Sequence, residues 1–512
     1  MNREEHPSID SIHDLGAGEV IRMSRVAFTY VGEDQATLEE CSFTLREGEV
    51  HVIFGRNGTG KTTLAKLLAG LLESHEGNCT GELATREDKL IGYIGGDAAS
   101  QFVIGIVEDE LAFGPENLAV VPSEIERRID AELDAFKMAH HRFSHVDTLS
   151  GGEQQRAAAM SIWTMEPDVL IIDDGWSQLD VEGRAELYEK LRCWMKKKGR
   201  ALLLLSSRLG AAEGGLEADE LLERAKRWRL EAGRLQACDQ YEMRMAAAEA
   251  KRDEQPMEAL VGTLDEAADS CPAEQMAVHS HTLLALDQVR VRYKGQDKEV
   301  LQQVTGVLHA GECALLQGHN GAGKSTLFRL ISGGLKLQGG SVMLGGEPLS
   351  RMDRYDRARA LGYAPQRAAA SFLADSVWDE GMLVYQALQA LPQAQQPLSV
   401  QAEPDASRWL EKELMALQLL ALRHRHPEEL SLASQRKLSL WIASAHEPSL
   451  LLLDEPTAGL DAATSLQVMD WCEHQRSRGA AVLIITHDPL WEAASSREGY
   501  RRWRLEGGIL HT

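Results

Sequence analysis

The stretch Gly55-Arg56-Asn57-Gly58-Thr59-Gly60-Lys61-Thr62 decides the fold, because the chain contains it twice. The second copy is Gly318-His319-Asn320-Gly321-Ala322-Gly323-Lys324-Ser325, at an offset of 263 residues. The pattern Gly-x-x-x-x-Gly-Lys-[Ser/Thr] works by geometry. Glycines let the backbone wrap a phosphate chain, successive N–H groups point inward, and the following helix adds its positive end. Lys61 and Lys324 would reach the β- and γ-phosphates, and the hydroxyls of Thr62 and Ser325 would hold Mg²⁺, with Thr63 and Thr326 next in line. Each copy follows an apolar run and precedes a helical pattern, residues 64–71 and 327–331.

Outward from these loops the repeat has the size of a domain. Arg227-Trp228-Arg229-Leu230-Glu231 matches Arg502-Trp503-Arg504-Leu505-Glu506 at an offset of 275. The drift from 263 to 275 predicts an extra segment in the second half. Its expected home is the Gln/Pro/Ala-rich stretch 391–407, which lacks apolar periodicity and reads as a loop. The expected organisation is an N-terminal segment (1–19), a first domain (20–237), an acidic linker (238–282) and a second domain (283–512). Residues 239–280 hold ten acids and three bases, with Pro256 and Pro272 as breakers, the composition of a solvated linker. Short apolar runs at 49–54, 169–172, 201–205, 313–316, 450–453 and 481–485 read as buried strands. Helix-length stretches alternate with them, so the fold class is α/β with a mainly parallel sheet in each half.

Composition sets the outer limits. The 512 residues carry 54 Lys and Arg against 78 Asp and Glu, a net charge of −24, and 44% are hydrophobic. That is enough apolar side chain for packed cores. No long basic run is available to neutralise a nucleic-acid backbone, so no nucleic-acid partner is expected. The cysteines at 41, 79, 193, 238, 271, 313 and 472 form no Cys-x-x-Cys pair and read as reduced thiols of a cytoplasmic protein. The polar start, Met1 to Pro7, does not resemble a secretory signal. No run approaches the ~18 apolar residues of a membrane span.

Two carboxylates end a run of leucines in Leu450-Leu451-Leu452-Leu453-Asp454-Glu455. Asp454 suits the coordination sphere of Mg²⁺, and Glu455 suits a base that polarises an attacking water. His487 ends the next predicted strand, in reach of a γ-phosphate.

These residues resemble the ATP-binding cassette (ABC) ATPases over both halves, nearly the whole chain outside the linker. Leu149-Ser150-Gly151-Gly152-Glu153-Gln154-Gln155-Arg156 resembles the signature of that family, and Asp454 through Asp461 its Walker B and D-loop run. Gln366, in Gly362-Tyr363-Ala364-Pro365-Gln366, resembles the Q-loop glutamine, which in the family senses Mg²⁺ and the membrane subunit. Tyr30 and Tyr293 stand where the family stacks an aromatic ring on adenine. The resemblance implies P-loop NTPase domains, each with a helical subdomain, that bind ATP and Mg²⁺. It also implies that two such domains pair head to tail, here within one chain. Each ATP would lie between the Walker motifs of one half and the signature of the other, and hydrolysis would drive a membrane partner.

The departures from the family pattern sort into one composite site. Aligned with Asp454-Glu455 the first half has Asp173-Asp174, aligned with His487 it has Ser207, and aligned with Gln366 it has Gly96. Gln101 lies too far along to match. The second signature reads Leu430-Ser431-Leu432-Ala433-Ser434-Gln435-Arg436-Lys437, with Leu432 and Ala433 in place of both glycines. Head-to-tail pairing would set Lys61, Asp173, Asp174, Ser207 and Gly96 against this altered signature. Lys324, Gln366, Asp454, Glu455 and His487 would face the intact Ser150-Gly151-Gly152. One hydrolytic and one degenerate site are expected.

The run from Val107 through Leu118, VEDELAFGPENL, resembles the ATPases of energy-coupling factor (ECF) importers of vitamins and transition-metal ions. The second half carries a weaker echo, Ser376-Val377-Trp378-Asp379-Glu380. In that subclass the ATPase lies on the cytoplasmic face of the membrane. It energises a shared transmembrane coupling subunit, and a separate membrane protein binds the cargo. Glu108, Asp109, Glu110, Glu116, Asp379 and Glu380 are expected to face basic coupling helices or to form a solvated acidic face. Two other readings compete. A tandem sugar-importer ATPase is disfavoured by residues 113–118, and a ribosome-associated ABC protein by the acidic linker and the altered site.

Overall fold

The computed structural model describes residues 15–33, 35–73, 75–175, 179, 181–207, 220–238, 281–293, 299–319, 321–494 and 499–512. Residues 1–14, most of the predicted linker (239–280) and Asn320 lie outside them. The chain divides into two compact units, Met1–Arg252 and Asp253–Thr512.

In the first unit the uninterrupted apolar runs become the centre of a six-stranded sheet. Its strands are β3 (Val50–Phe54), β5 (Ile91–Ile94), β6 (Val169–Asp173), β7 (Ala201–Ser206), β8 (Lys226–Glu231) and β9 (Arg234–Cys238), in the order β5-β6-β7-β3-β8-β9. All neighbours are parallel except the closing β8–β9 hairpin. Every residue of β3, β6 and β7 is buried, as expected for strands covered on both faces. A second, antiparallel sheet, β2-β1-β4, uses β1 (Glu19–Tyr30), β2 (Leu38–Arg46) and β4 (Gly77–Thr85). β1 alternates because one face packs on the core while the other meets solvent. Helices Val107–Asn117, Pro122–Ala135 and Gly151–Trp163 form a helical layer whose Leu111, Ile129, Leu133 and Trp163 join the core of the sheet.

The second unit repeats this plan. β12 (Cys313–Gln317), β15 (Leu361–Ala364), β16 (Leu450–Asp454), β17 (Ala481–Ile485), β18 (Tyr500–Glu506) and β19 (Ile509–His511) run in the order β15-β16-β17-β12-β18-β19. β10 (Thr282–Val291), β11 (Leu301–His309), β13 (Gly339–Leu344) and β14 (Glu347–Pro348) make the antiparallel sheet.

The offset between halves does not grow in one step. It is 263 at Lys61 and Lys324, 270 at Tyr93 and Tyr363, 281 at Ser150 and Ser431, and 275 at Trp228 and Trp503. The first increment is helix Arg354–Ala360, inserted before β15 and capped by Asp353. The second falls in the predicted loop 391–407, and here the structure corrects the sequence reading. Leu398–Ala402 is a short helix that buries Val400, and Asp405 caps helix Ala406–Ala416 by accepting from the N–H groups of Ser407 and Arg408. One inward-facing valine and one cap suffice to order a segment too short to show a period.

Candidate nucleotide site

Each phosphate loop connects a buried strand to a helix, β3 to Lys61–Leu68 and β12 to Lys324–Ile331. The residue before each helix, Gly60 or Gly323, has φ of 95° or 102°. A Cβ at Gly60 would also stand 2.9 Å from the Thr37 carbonyl oxygen, so only glycine fits. Both lysines are buried and turned inward. Lys61 Nζ donates to the Arg56 carbonyl at 3.0 Å. Lys324 Nζ donates to the carbonyls of Gly318 at 2.5 Å and His319 at 3.2 Å, and lies 3.1 Å from Nε2 of His487. Thr62 and Ser325 each open the helix one residue later. The adenine-stacking candidates lie beside them: Tyr30 Oη is 3.1 Å from Thr63 Oγ1, and Tyr293 Oη is 3.2 Å from Thr326 Oγ1.

The paired carboxylates sit at the ends of β6 and β16. Asp174 and Glu455 both have positive φ, 49° and 48°. Such a conformation costs a side chain on the order of 1–3 kcal/mol. It is held in each half by a backbone bond to the next strand, Asp174 N–H to Leu205 and Glu455 N–H to Ile485. The carboxylate then meets the start of the following loop. The His487 N–H donates to Glu455 Oε2 at 3.4 Å, and the ring Nε2 is 3.9 Å from Oε1. In the first half the Ser207 N–H donates to Asp174 Oδ1 at 3.0 Å. The halves share a backbone, but only the second has an imidazole joining the lysine to the carboxylate.

Burial dominates the electrostatics. It pushes Asp454 up to about 6 against the pull of Lys324, Arg436 and Arg329. Burial and then the neighbouring Asp454 raise Glu455 further, towards the range of a working base at neutral pH. Asp173 is raised by burial and by Asp174, opposed by Thr62, Lys61 and Tyr93. The Tyr93 hydroxyl donates to Asp173 Oδ2 at 3.4 Å, while Oδ1 is buried without a hydrogen-bond donor. That orphaned oxygen beside a phosphate loop suits a hard cation. Among the described residues no group of three or more His, Cys, Asp or Glu side chains could hold a metal alone. The fit is to Mg²⁺, which takes one or two protein oxygens and completes its shell with phosphate and water.

Strand register makes Gly96 the equivalent of Gln366, each in its own half: Tyr93 pairs with Ile171 as Tyr363 pairs with Leu452. A Cβ at Gly96 would be 3.3 Å from the Asp173 carbonyl oxygen, so a side chain here would project beside the carboxylates. Gln101 is no displaced substitute, because its amide turns back to the carbonyls of Gly95 and Asp97, both at 3.3 Å.

The signature serine caps a helix in each half. Ser150 and Glu153 cap helix Gly151–Trp163 reciprocally, which sets Gly151 and Gly152 in its first turn. Burial works against ionised Glu153, but hydrogen bonds from His141 and Ser150 prevail and hold it down to about 2. Ser431 caps helix Leu432–Ser444 through Ser434 alone, and Leu432 stands exposed at its N-terminus.

The acidic run needs a correction. Glu110 and Glu380 are buried and face no partner surface. Glu110 accepts the N–H groups of Val103, Ile104 and Gly105, and Glu380 those of Leu373 and Ala374. Glu108 pairs with Arg142 at 2.6 Å. Asp109, Glu116 and Asp379 remain exposed. The loops gathered by the two buried glutamates carry apolar tips, Val103 at 68% and Leu373 at 85% exposure.

A nucleotide cradle, a strand-end carboxylate pair and a serine-capped signature helix, each present twice, define a P-loop ATPase of the ABC class. The ABC transporter family profile matches residues 38–177 and 301–458, and the chain belongs to that family. It is 27% identical over 495 residues to a Bacillus subtilis (strain 168) protein named as an HMP/thiamine import ATP-binding protein, covering 92% of this chain and 87% of that one. An ABC transporter ATP-binding protein of Streptomyces avermitilis is 30% identical over 536 residues, with 92% and 90% coverage. A solved ATP-binding subunit of an ABC transporter matches at 25% identity and a TM-score of 0.37, covering 45% of this chain and 89% of that chain. The chain is therefore the ATP-binding, ATP-hydrolysing subunit of a transporter. No described helix is long and apolar enough to cross a membrane.

Sequence reasoning missed Arg436, which reaches the Q-loop of its own half, and His141, which anchors Glu153. The signal for Arg436 was available, since a cation stands where the first half has the neutral Gln155.

Proposed function

We propose that this chain is the fused double ATPase of an ECF-type importer for a vitamin or transition-metal ion, with one hydrolytic and one degenerate ATP site. Its cassettes are residues 20–237 and 283–512, after segment 1–19 and joined by the acidic stretch 238–282. They pair head to tail within the chain. The observation that carries the asymmetry is the Lys324–His487–Glu455 cluster, whose first-half equivalents are Lys61, Ser207 and Asp174.

ATP binds through the phosphate loops, the imidazole and lysine gather the γ-phosphate, and Glu455 takes a proton from the attacking water. Ser325, Asp454 and Gln366 would hold Mg²⁺, which would supply charge neutralisation on the phosphates. In the first site Thr62 and Asp173 keep a cation position, but Asp174 is one methylene short. Leu432 and Ala433 crowd the signature contact. This site binds ATP to stabilise closure.

The work of closure passes to a transmembrane coupling subunit at the cytoplasmic face, and a separate membrane protein recognises the cargo. The relative named for HMP/thiamine import supports a vitamin-type cargo. The run 107–118 supports the ECF subclass, with Val103, Ile104 and Leu373 as apolar contacts and Asp109, Glu116 and Asp379 as the acidic rim. Purifying the tagged chain from detergent-solubilised membranes should bring down a coupling subunit and a small cargo-binding membrane protein. Ile104→Asp with Leu373→Asp should release both. Co-sedimentation with ribosomes, or recovery of sugar-importer permeases, would refute the proposal.

A further inference from the structure

Three indoles and one carboxylate line a cleft in the second unit. Trp409 comes from helix Ala406–Ala416, Trp441 from helix Leu432–Ser444 and Trp471 from helix Ala462–Ser477, while Glu413 stands one turn after Trp409. The cleft has a volume of about 110 Å³. A closed cavity of about 150 Å³ holds benzene, so this one has room for a single ring. Two of the indoles are pinned. Trp409 Nε1 donates at 3.3 Å to Ser399 Oγ, on the helix that the first half lacks, and Trp441 Nε1 donates to Glu413 Oε2 at 2.9 Å. Their rings lie 5.8 Å apart. Burial raises the Glu413 carboxyl above its usual range, opposed only by the Trp441 indole. Among the described residues no Lys, Arg or His pairs with this carboxylate. Lys437 also reaches the cleft, but its Nζ donates to Gln418 Oε1 at 3.2 Å, and Arg478 at the rim pairs with Glu447.

The first half shows what such a carboxylate holds. At the offset of 281 that relates Ser150 to Ser431, Glu413 corresponds to Glu132, Trp471 to Lys190, Trp409 to Arg128 and Trp441 to Met160. Glu132 is buried and accepts from Lys190 Nζ at 2.7 Å. Arg128 reaches Glu124 and the Thr164 carbonyl. The rim pair is common to both halves, Lys197 with Glu166 standing for Arg478 with Glu447. The second half therefore keeps the acid, removes both cations and puts tryptophans in their place. An indole cannot neutralise a carboxylate, but its face attracts a weakly hydrated cation that can.

We propose that this cleft is a binding site for a small organic cation, ring-sized or quaternary, seated against the tryptophans with its charge on Glu413. The ligand takes the place of the Lys190 ammonium of the first half. It lies between the helical layer and helix Ala462–Ser477, whose Val468, Met469 and Cys472 pack on the core strands. Occupancy ties these two layers together, as Lys190 ties its own helix to Glu132. Every residue of the site belongs to the second unit, so binding requires neither the pairing of the units nor a membrane partner.

The test is isothermal titration calorimetry of the purified full chain with N-methylpyridinium, tetramethylammonium and benzoate. At least one of the cations should bind at one site per chain, and benzoate should bind at least about tenfold more weakly. Glu413→Gln keeps the shape of the side chain and an oxygen for the Trp441 N–H, and it should weaken the cation by about tenfold or more. Trp471→Lys, which installs the first-half residue, should abolish binding, because the lysine supplies the cation from within the chain. Should that variant not fold, Glu413→Gln alone decides. Binding that ignores the substitutions, or benzoate held as tightly as the cations, would overturn the proposal. So would the absence of binding by both cations. If Trp471→Lys then also released a membrane protein from the purified complex, the cleft would be the seat of that protein's basic side chain instead.

Discussion

Replacing Glu455 by Gln and, separately, Asp174 by Asn gives a comparison whose outcome can be worked from geometry. Glutamine has the shape of glutamate and keeps an oxygen to accept the His487 N–H, which now donates at 3.4 Å. The left-handed backbone at φ 48° is the same for either residue. Only the proton acceptor is lost, and removing a positioned general base costs about 10²- to 10⁴-fold. Asp174 starts from a weaker position. Its carboxylate is one methylene nearer the backbone and already bonded to the Ser207 N–H at 3.0 Å. A misplacement of about 1 Å costs about 10² in rate. The first site then supplies roughly 1% of turnover, and abolishing it should be invisible in the total. The assay is steady-state phosphate release by the purified membrane complex at saturating ATP. Glu455→Gln should fall by at least about 10²-fold and Asp174→Asn by less than about twofold. Equal losses would show that both carboxylates work, and the division into one hydrolytic and one degenerate site would be wrong.

His487→Ser, which gives the second site the first-half residue, should lower kcat by about 10²-fold, read in the same assay. Glu110→Ala leaves three N–H groups of residues 103–105 without their acceptor; at about 1 kcal/mol each the Tm should drop by roughly 6–12 °C, with loss of the membrane partner. Hydrolysis should rise as the pH increases through about 6, where Asp454 becomes ionised to hold a cation, and go on rising towards about 8, where burial and Asp454 have placed the base Glu455. The displacement of Asp454 carries a stability sign. The folded state holds this proton more tightly than the unfolded chain, so stability is lost as pH rises from about 4 to about 6, and Asp454→Asn should raise the Tm of the nucleotide-free chain at pH 7 while abolishing hydrolysis.

The sequence made the skeleton legible because phosphate loops and buried parallel strands have local rules. A glycine at positive φ, a lysine and an apolar run can be read without knowing their neighbours. Asp173-Asp174 against Asp454-Glu455 was legible for the same reason, since each pair ends a strand. What stayed hidden depends on contacts between distant segments. Glu110 and Glu380 read as surface acids by composition, and only the fold shows loop N–H groups converging on them. Arg436 drew no reading of its own, because the carbonyls it binds lie about 70 residues away. The order in 391–407 escaped because a five-residue helix has no period to detect.

The buried glutamates bear on how such a chain acquires a new partner. Glu110 and Glu380 shape the loops, and the side chains those loops present, Val103, Ile104 and Leu373, are nearly free of intramolecular duties. Under the docking proposed above, shape and recognition would be written in different residues. An engineer redirecting this ATPase to a foreign coupling subunit should leave the acids untouched and recast the apolar tips. Two chains carrying the same acidic run can accordingly serve unlike membrane proteins.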